Sequence, residues 1–123
     1  MRSNEDIIRE ILRSDELAGD ILRVLTLFNG VLWQREIRWE VEAMNSTLRR
    51  TLDINRIDDK IHLLTEAGLI NLEKRPYSTI SGEIYEDNLV RLTNMELVLN
   101  IMLNDKKLRE YIKIRYEIYK QRK

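Results

Sequence analysis

The stretch Asn55–Arg75, NRIDDKIHLLTEAGLINLEKR, constrains this chain more than any other. Ile57, Ile61, Leu64 and Ala67 recur at helical spacing, so one face of a helix is apolar. Asn55 is the expected start, with Asp58 at the reciprocal capping position, and Gly68 is the expected stop. LINLEK and GEIYEDNLVRLT then read as two strands, joined by the loop RPYSTIS, with Lys74 and Arg75 at the start of that loop. A two-stranded hairpin is not stable alone in water, so it must pack on helices. The expected class is therefore mainly α with a small β-hairpin (α+β).

The remaining chain supplies those helices. Ser3 and Asp6 signal a helix start, followed by the apolar stripe Ile7, Ile8, Ile11 and Leu12. A second helix begins near Ser14-Asp15, carries Leu17, Ile21, Leu22, Leu25 and Phe28, and stops at Asn29-Gly30. Val31-Leu32 reads as a short bridge or strand. Trp33, Ile37, Val41, Met44, Leu48 and Leu52 lie on one helical face. Asn45-Ser46-Thr47 leaves two versions open: one long helix, or a helix to Met44 and a shorter one over Thr47–Leu52. Thr93 with Glu96 opens a last helix, Asn94–Gln121, which Asn104-Asp105 kinks or divides. The 123 residues suit a single domain, residues 1–93 forming its body and 94–123 a C-terminal helical appendage.

Charge limits the partners. Lys and Arg balance Asp and Glu at 21 each, but unevenly along the chain. Residues 1–30 carry −2, 31–68 carry −1, 69–103 carry −2 and 104–123 carry +5. The basic excess sits in the C-terminal tail. With no Cys, disulfides and thiolate metal sites are excluded, and a reduced cytoplasm is the simplest location. The charged N-terminus, MRSNEDIIREILRSDE, lacks an apolar h-region, so neither a signal peptide nor a membrane span is expected.

Leu64-Thr65-Glu66-Ala67-Gly68-Leu69-Ile70, followed by Val90-Arg91-Leu92-Thr93, resembles the winged helix-turn-helix superfamily, in particular small regulators of the MarR, PadR and related archaeal types. The resemblance covers roughly residues 15–93. It implies a winged helix with a long C-terminal dimerisation helix, and a homodimeric, DNA-binding transcriptional regulator in which Asn55–Ala67 approaches the major groove.

On that reading the DNA-facing residues are Arg49, Arg50, Asn55, Arg56, Asp59, Lys60 and His62, with Lys74 and Arg75 on the wing. The outward arc expected of the reading helix is Asp58, Asp59, His62, Thr65 and Glu66. Asp59 is the misfit, because a carboxylate repels phosphate unless it accepts from a base such as cytosine. The rival reading is a winged-helix protein-interaction module in a transcription, replication or plasmid- or virus-encoded assembly. There Asp58, Asp59 and Glu66 meet a basic protein partner. The dimer seam expected on the last helix is Leu97, Ile101, Leu108, Tyr111, Ile112 and Ile118.

Other chemistry has little support. His62 with Asp58, Glu36 and Glu40 imitates a carboxylate–histidine metal set, but an exposed His among ordinary helix-face acids is the simpler reading. The four Gly are isolated, so no phosphate-cradling loop is present. No catalytic residue, metal or cofactor is expected. Trp39, off the apolar stripe, is a candidate contact residue. Tyr111, Tyr116 and Tyr119 alternate with Lys113, Arg115 and Lys120, a pattern that suits a dimer seam better than single-strand stacking.

Overall fold

A computed structural model describes residues 2–122. Residue 1 of the expected segment 1–93 and residue 123 of the expected segment 94–123 lie outside the described residues. The element order is α1 (Asn4–Ser14), α2 (Glu16–Leu27), β1 (Val31–Trp33), α3 (Gln34–Thr47), α4 (Ile57–Glu66), β2 (Ile70–Ser78), β3 (Ile84–Leu92), α5 (Met95–Met102) and α6 (Lys106–Gln121). The chain is thus mixed α+β, with six helices and one small antiparallel sheet among the described residues.

Helix α2 is the centre. Its residues from Leu17 to Thr26 are all buried, and α1, α3, α4 and α5 pack around it. Ile21, Leu22 and Leu25 are fully enclosed, and burial of such side chains contributes about 1.5–3 kcal/mol each. Ile37, Val41 and Met44 of α3 and Ile57, Ile61 and Leu64 of α4 complete the core from the positions their spacing indicated. Ser3 and Asp15 cap α1 and α2, accepting from the amides of Asp6 and Ala18 at 3.1 Å.

Three helices end in the same turn. After α2, α3 and α4 the chain enters the left-handed region at Asn29 (φ 61°), Arg49 (φ 56°) and Gly68 (φ 76°). The next amide then donates back five residues, Gly30 to Leu25, Arg50 to Asn45 and Leu69 to Leu64. Gly68 takes this conformation without steric penalty; Arg49 does so against its Cβ.

Several boundaries correct the expectations. Helix α3 follows neither version: it runs through Asn45-Ser46-Thr47 and stops, and residues 48–56 are irregular. The Asn45 side chain is spent internally on the Val41 carbonyl and Asp20, both at 2.9 Å, so it does not unwind the backbone. Helix α4 starts at Ile57; Asn55 instead donates its amide to Asp53, and no side chain caps the helix. Asn94, not Thr93, caps α5, while the Thr93 hydroxyl donates to the Gly68 carbonyl at 2.8 Å. The last helix is divided: α5 ends at Met102 with Leu103 as its C-cap, and Asp105 caps α6 by accepting from the Leu108 amide at 2.9 Å.

The sheet has the order β1-β3-β2, antiparallel throughout. β3 pairs with all nine residues of β2, from Ile70↔Leu92 to Ser78↔Ile84, and with β1 through Val31↔Arg91, Leu32↔Val90 and Trp33↔Leu89. Lys74 and Arg75 are therefore mid-strand and not in the loop, which tightens to Thr79–Glu83.

Candidate nucleic-acid interface

Three elements converge where α3 begins. The Gln34 amide nitrogen donates to Asp58 Oδ1 of α4 at 3.1 Å, and its oxygen accepts from Asn88 Nδ2 of β3 at 2.8 Å. One side chain thus joins the first turn of α3, the first turn of α4 and strand β3. Beside it, the guanidinium of Arg35 lies 4.7 Å from the Tyr77 ring centre and 5.5 Å from that of Tyr85, and 3.4 Å from Asp87. Tyr77 and Tyr85 face each other in the hairpin register, and Trp33 meets Tyr77 edge-on at 5.1 Å. These contacts hold the outer part of the β2–β3 hairpin against the start of α3. The Tyr85 hydroxyl donates to Glu83, which raises the phenol above its ordinary value. Sequence reasoning missed Gln34 and Arg35; a polar residue and an arginine opening a helix are too common to stand out.

The outward surface of α4 is acidic with one apolar residue. Asp58, Asp59, His62 and Glu66 are exposed, and so is Leu63, at 42%. Thr65 is half-buried and bonded to the Ile61 carbonyl at 2.8 Å, so Leu63 takes its place in the expected arc. Both aspartates have partners within the chain: Asp58 takes Gln34, and Asp59 lies 3.3 Å from the Arg56 guanidinium. His62 is 3.4 Å from Glu66 on the same face.

The expected DNA-facing residues divide. Arg56, Asp59 and His62 share the exposed start and face of α4, with Asn55 exposed just before it. Lys60 turns away to Asp15, the N-cap of α2, at 2.9 Å. Arg50 turns to Glu16 at 3.7 Å and Glu110 at 3.9 Å, toward α6. Arg49 is exposed and serves as the left-handed turn after α3. Lys74 and Arg75 lie on opposite faces of β2, near Glu86 at 3.9 Å and Glu73 at 2.9 Å. Trp39 is exposed, as its position off the stripe indicated.

The expected dimer seam requires the clearest correction. Ile101, Leu108 and Tyr111 are 4%, 3% and 4% exposed, committed to the chain's own core, and Leu97 packs against that core. Only Ile112 and Ile118 of the six are on the surface. The seam was consumed internally because the division at Asp105 turns the start of α6 inward.

A buried polar cluster explains that turn. The Lys107 ammonium uses all three donors, on Glu16 Oε1 at 2.7 Å, Asp20 Oδ2 at 2.8 Å and Asn45 Oδ1 at 2.8 Å. Arg23 donates to both oxygens of Asp105, at 2.7 and 3.2 Å, and to Asp20 Oδ1 at 2.7 Å. Among the described residues, no buried side-chain nitrogen or oxygen lacks a partner. The hydrogen bond from Lys107 lowers the Glu16 carboxyl below its ordinary range. Burial alone would lower Arg23, but the bonds to Asp105 and Asp20 prevail and raise it. Glu40, on α3, is pushed up by burial and then by neighbouring Glu36, against the pull of Arg115. The sequence did hold a signal for this cluster: Asp20 and Arg23 stand one turn apart inside the otherwise apolar LAGDILRVLTLF.

No protein-family model, curated protein or solved structure matches this chain. Among the described residues, no group of three or more His, Asp or Glu is placed to hold a metal ion. Among the described residues, no helix is long and apolar enough to cross a membrane.

Proposed function

We propose that this protein is a winged-helix module that binds double-stranded DNA through the face shared by α3, α4 and the hairpin, and regulates transcription by occupying promoter DNA. The observation that carries the reading is the Gln34 junction. It brings two helix N-termini and a hairpin strand to one surface, where the positive helix ends and exposed Arg56 are available to phosphate, with Lys74 opposite Asn88 in the hairpin. The order α2–β1–α3–α4–β2–β3 with strands β1-β3-β2 supports the same reading, with α4 as the groove helix and β2–β3 as the wing. Arg56 must leave Asp59 to reach phosphate, so affinity for random duplex belongs at the weak, roughly 10⁻⁴–10⁻⁶ M end. Fluorescence anisotropy with a labelled duplex tests this. Binding at low salt should fall steeply as salt rises; absence of binding at low salt defeats the reading.

One observation favours a second reading, a protein-interaction module. Leu63 exposed among Asp58, Asp59 and Glu66 is suited to a basic, partly apolar partner segment. Under that reading a Lys-rich amphipathic peptide binds α4, Leu63→Asp abolishes its binding, and duplex DNA neither binds nor competes.

A further inference from the structure

Away from α4 and the wing, α2, α5 and α6 enclose an apolar groove of about 380 Å³. Leu27, Leu99, Leu103 and Ile112 form its walls, and among the described residues Arg109 is the only charged one lining it. Leu103 is 62% exposed at its rim. Along α6, residues 112, 116 and 119 follow the four-then-three spacing of a helix-packing seam, so Ile112, Tyr116 and Tyr119 extend the groove as an exposed row. With successive residues about 100° apart, Lys106, Arg109, Lys113 and Lys120 line one side of that row, and Arg115 and Arg122 the other. Glu110 and Glu117 fall further round the helix.

This charge arrangement selects the occupant. A second copy packed antiparallel would set the Arg109–Lys113–Lys120 side against itself. Packed parallel, it would set that side against Arg115 and Arg122. Either way like charges meet beside the seam, which opposes self-association. An acidic helix meets neither obstacle. We propose that this groove and seam are the docking site for an amphipathic helix of a partner protein, its apolar residues at i, i+4 and i+7 entering the groove and its carboxylates meeting Arg109 and Lys113. None of the groove's lining comes from α3, α4 or the hairpin, so the site is independent of the proposed DNA face.

The test uses two fluorescent peptides of about four helical turns with the same leucine pattern, one flanked by Glu and one by Lys. The Glu peptide should bind at least roughly tenfold tighter, a difference of about 1.4 kcal/mol. Arg109→Glu with Lys113→Glu should reverse the preference, and Leu103→Asp should abolish binding of both peptides. Leu103 is exposed, so its variant should keep the urea midpoint of the parent. Equal binding of the peptides, or none below about 1 mM, overturns the proposal. So does a dimer in light scattering that Leu103→Asp dissolves, which would make a second copy the occupant. Co-sedimentation with phosphatidylserine vesicles, lost in Leu103→Asp, would overturn it in favour of a lipid surface.

Discussion

Lys107 and Arg56 both meet an aspartate, at 2.8 Å and 3.3 Å, but the Lys107 side chain is 6% exposed and that of Arg56 75%. Around Lys107, the ammonium, Asp20 and Asn45 are out of water and bonded to one another, while Glu16 closes the set from the surface. Around Arg56, either partner can return to water at little cost. The buried set therefore specifies how α2, α3 and α6 meet, and the exposed set leaves charge that an incoming ligand can claim. The same residue types thus fix architecture in one place and remain available for binding in the other.

The comparison breaks first at Asp20. Asp20→Ala strands Arg23, Lys107 and Asn45, and should cost about 3–5 kcal/mol in urea unfolding followed by circular dichroism. A loss under about 1 kcal/mol would place the cluster with ordinary surface pairs.

Asp59→Ala should leave stability within about 0.5 kcal/mol. It should tighten duplex binding by about fivefold, the worth of roughly 1 kcal/mol between unit charges near 4 Å in water. Lost sequence preference would instead make Asp59 a base reader.

Arg49 offers a smaller test. Arg49→Gly should be about 1 kcal/mol more stable than Arg49→Ala, because only glycine escapes the left-handed penalty. Both variants remove the same charge, so any fall in duplex affinity should be equal in the two.

The smallest expected effect is on pH dependence. Glu16 has a folded value below its ordinary 4.5, so the unfolded chain binds more protons between the two values. Its contribution is fully present above the unfolded value and is lost as pH falls through the folded one. Lys107→Met should remove that slope from urea midpoints measured between about pH 3 and 6. Glu40, raised by burial, acts in the opposite sense: its contribution is lost as pH rises through its folded value, so Glu40→Gln should stabilise slightly at neutral pH.

Where a residue acts through its own helix, it could be read in advance. The inward faces of α3 and α4, the cap at Asp15 and the stop at Gly68 depend on spacing within a dozen residues. What escaped depends on distance across the chain. Arg23 meets Asp105, and Lys107 meets Asp20, more than 80 positions away. Ile101, Leu108 and Tyr111 have the periodicity of an exposed seam and of a core alike, and only the turn at Asp105 decides between them. At the candidate interface, the residue types around α4 were visible, but not that Lys60 and Arg50 turn away or that Gln34 ties three elements together.

The double use of Asp105 also has a mechanical side. Its carboxylate starts α6 and grips Arg23, while two residues later Lys107 is held from three directions. The 16-residue α6 is thus a rod about 24 Å long, riveted at one end and with its far turns outside the core. A load applied near Tyr116 or Tyr119 bears on that rivet, whose Asp20 also holds Asn45 near the end of α3. The one Asp20 carboxylate thus ties the start of α6 to the end of α3, next to the segment leading into α4.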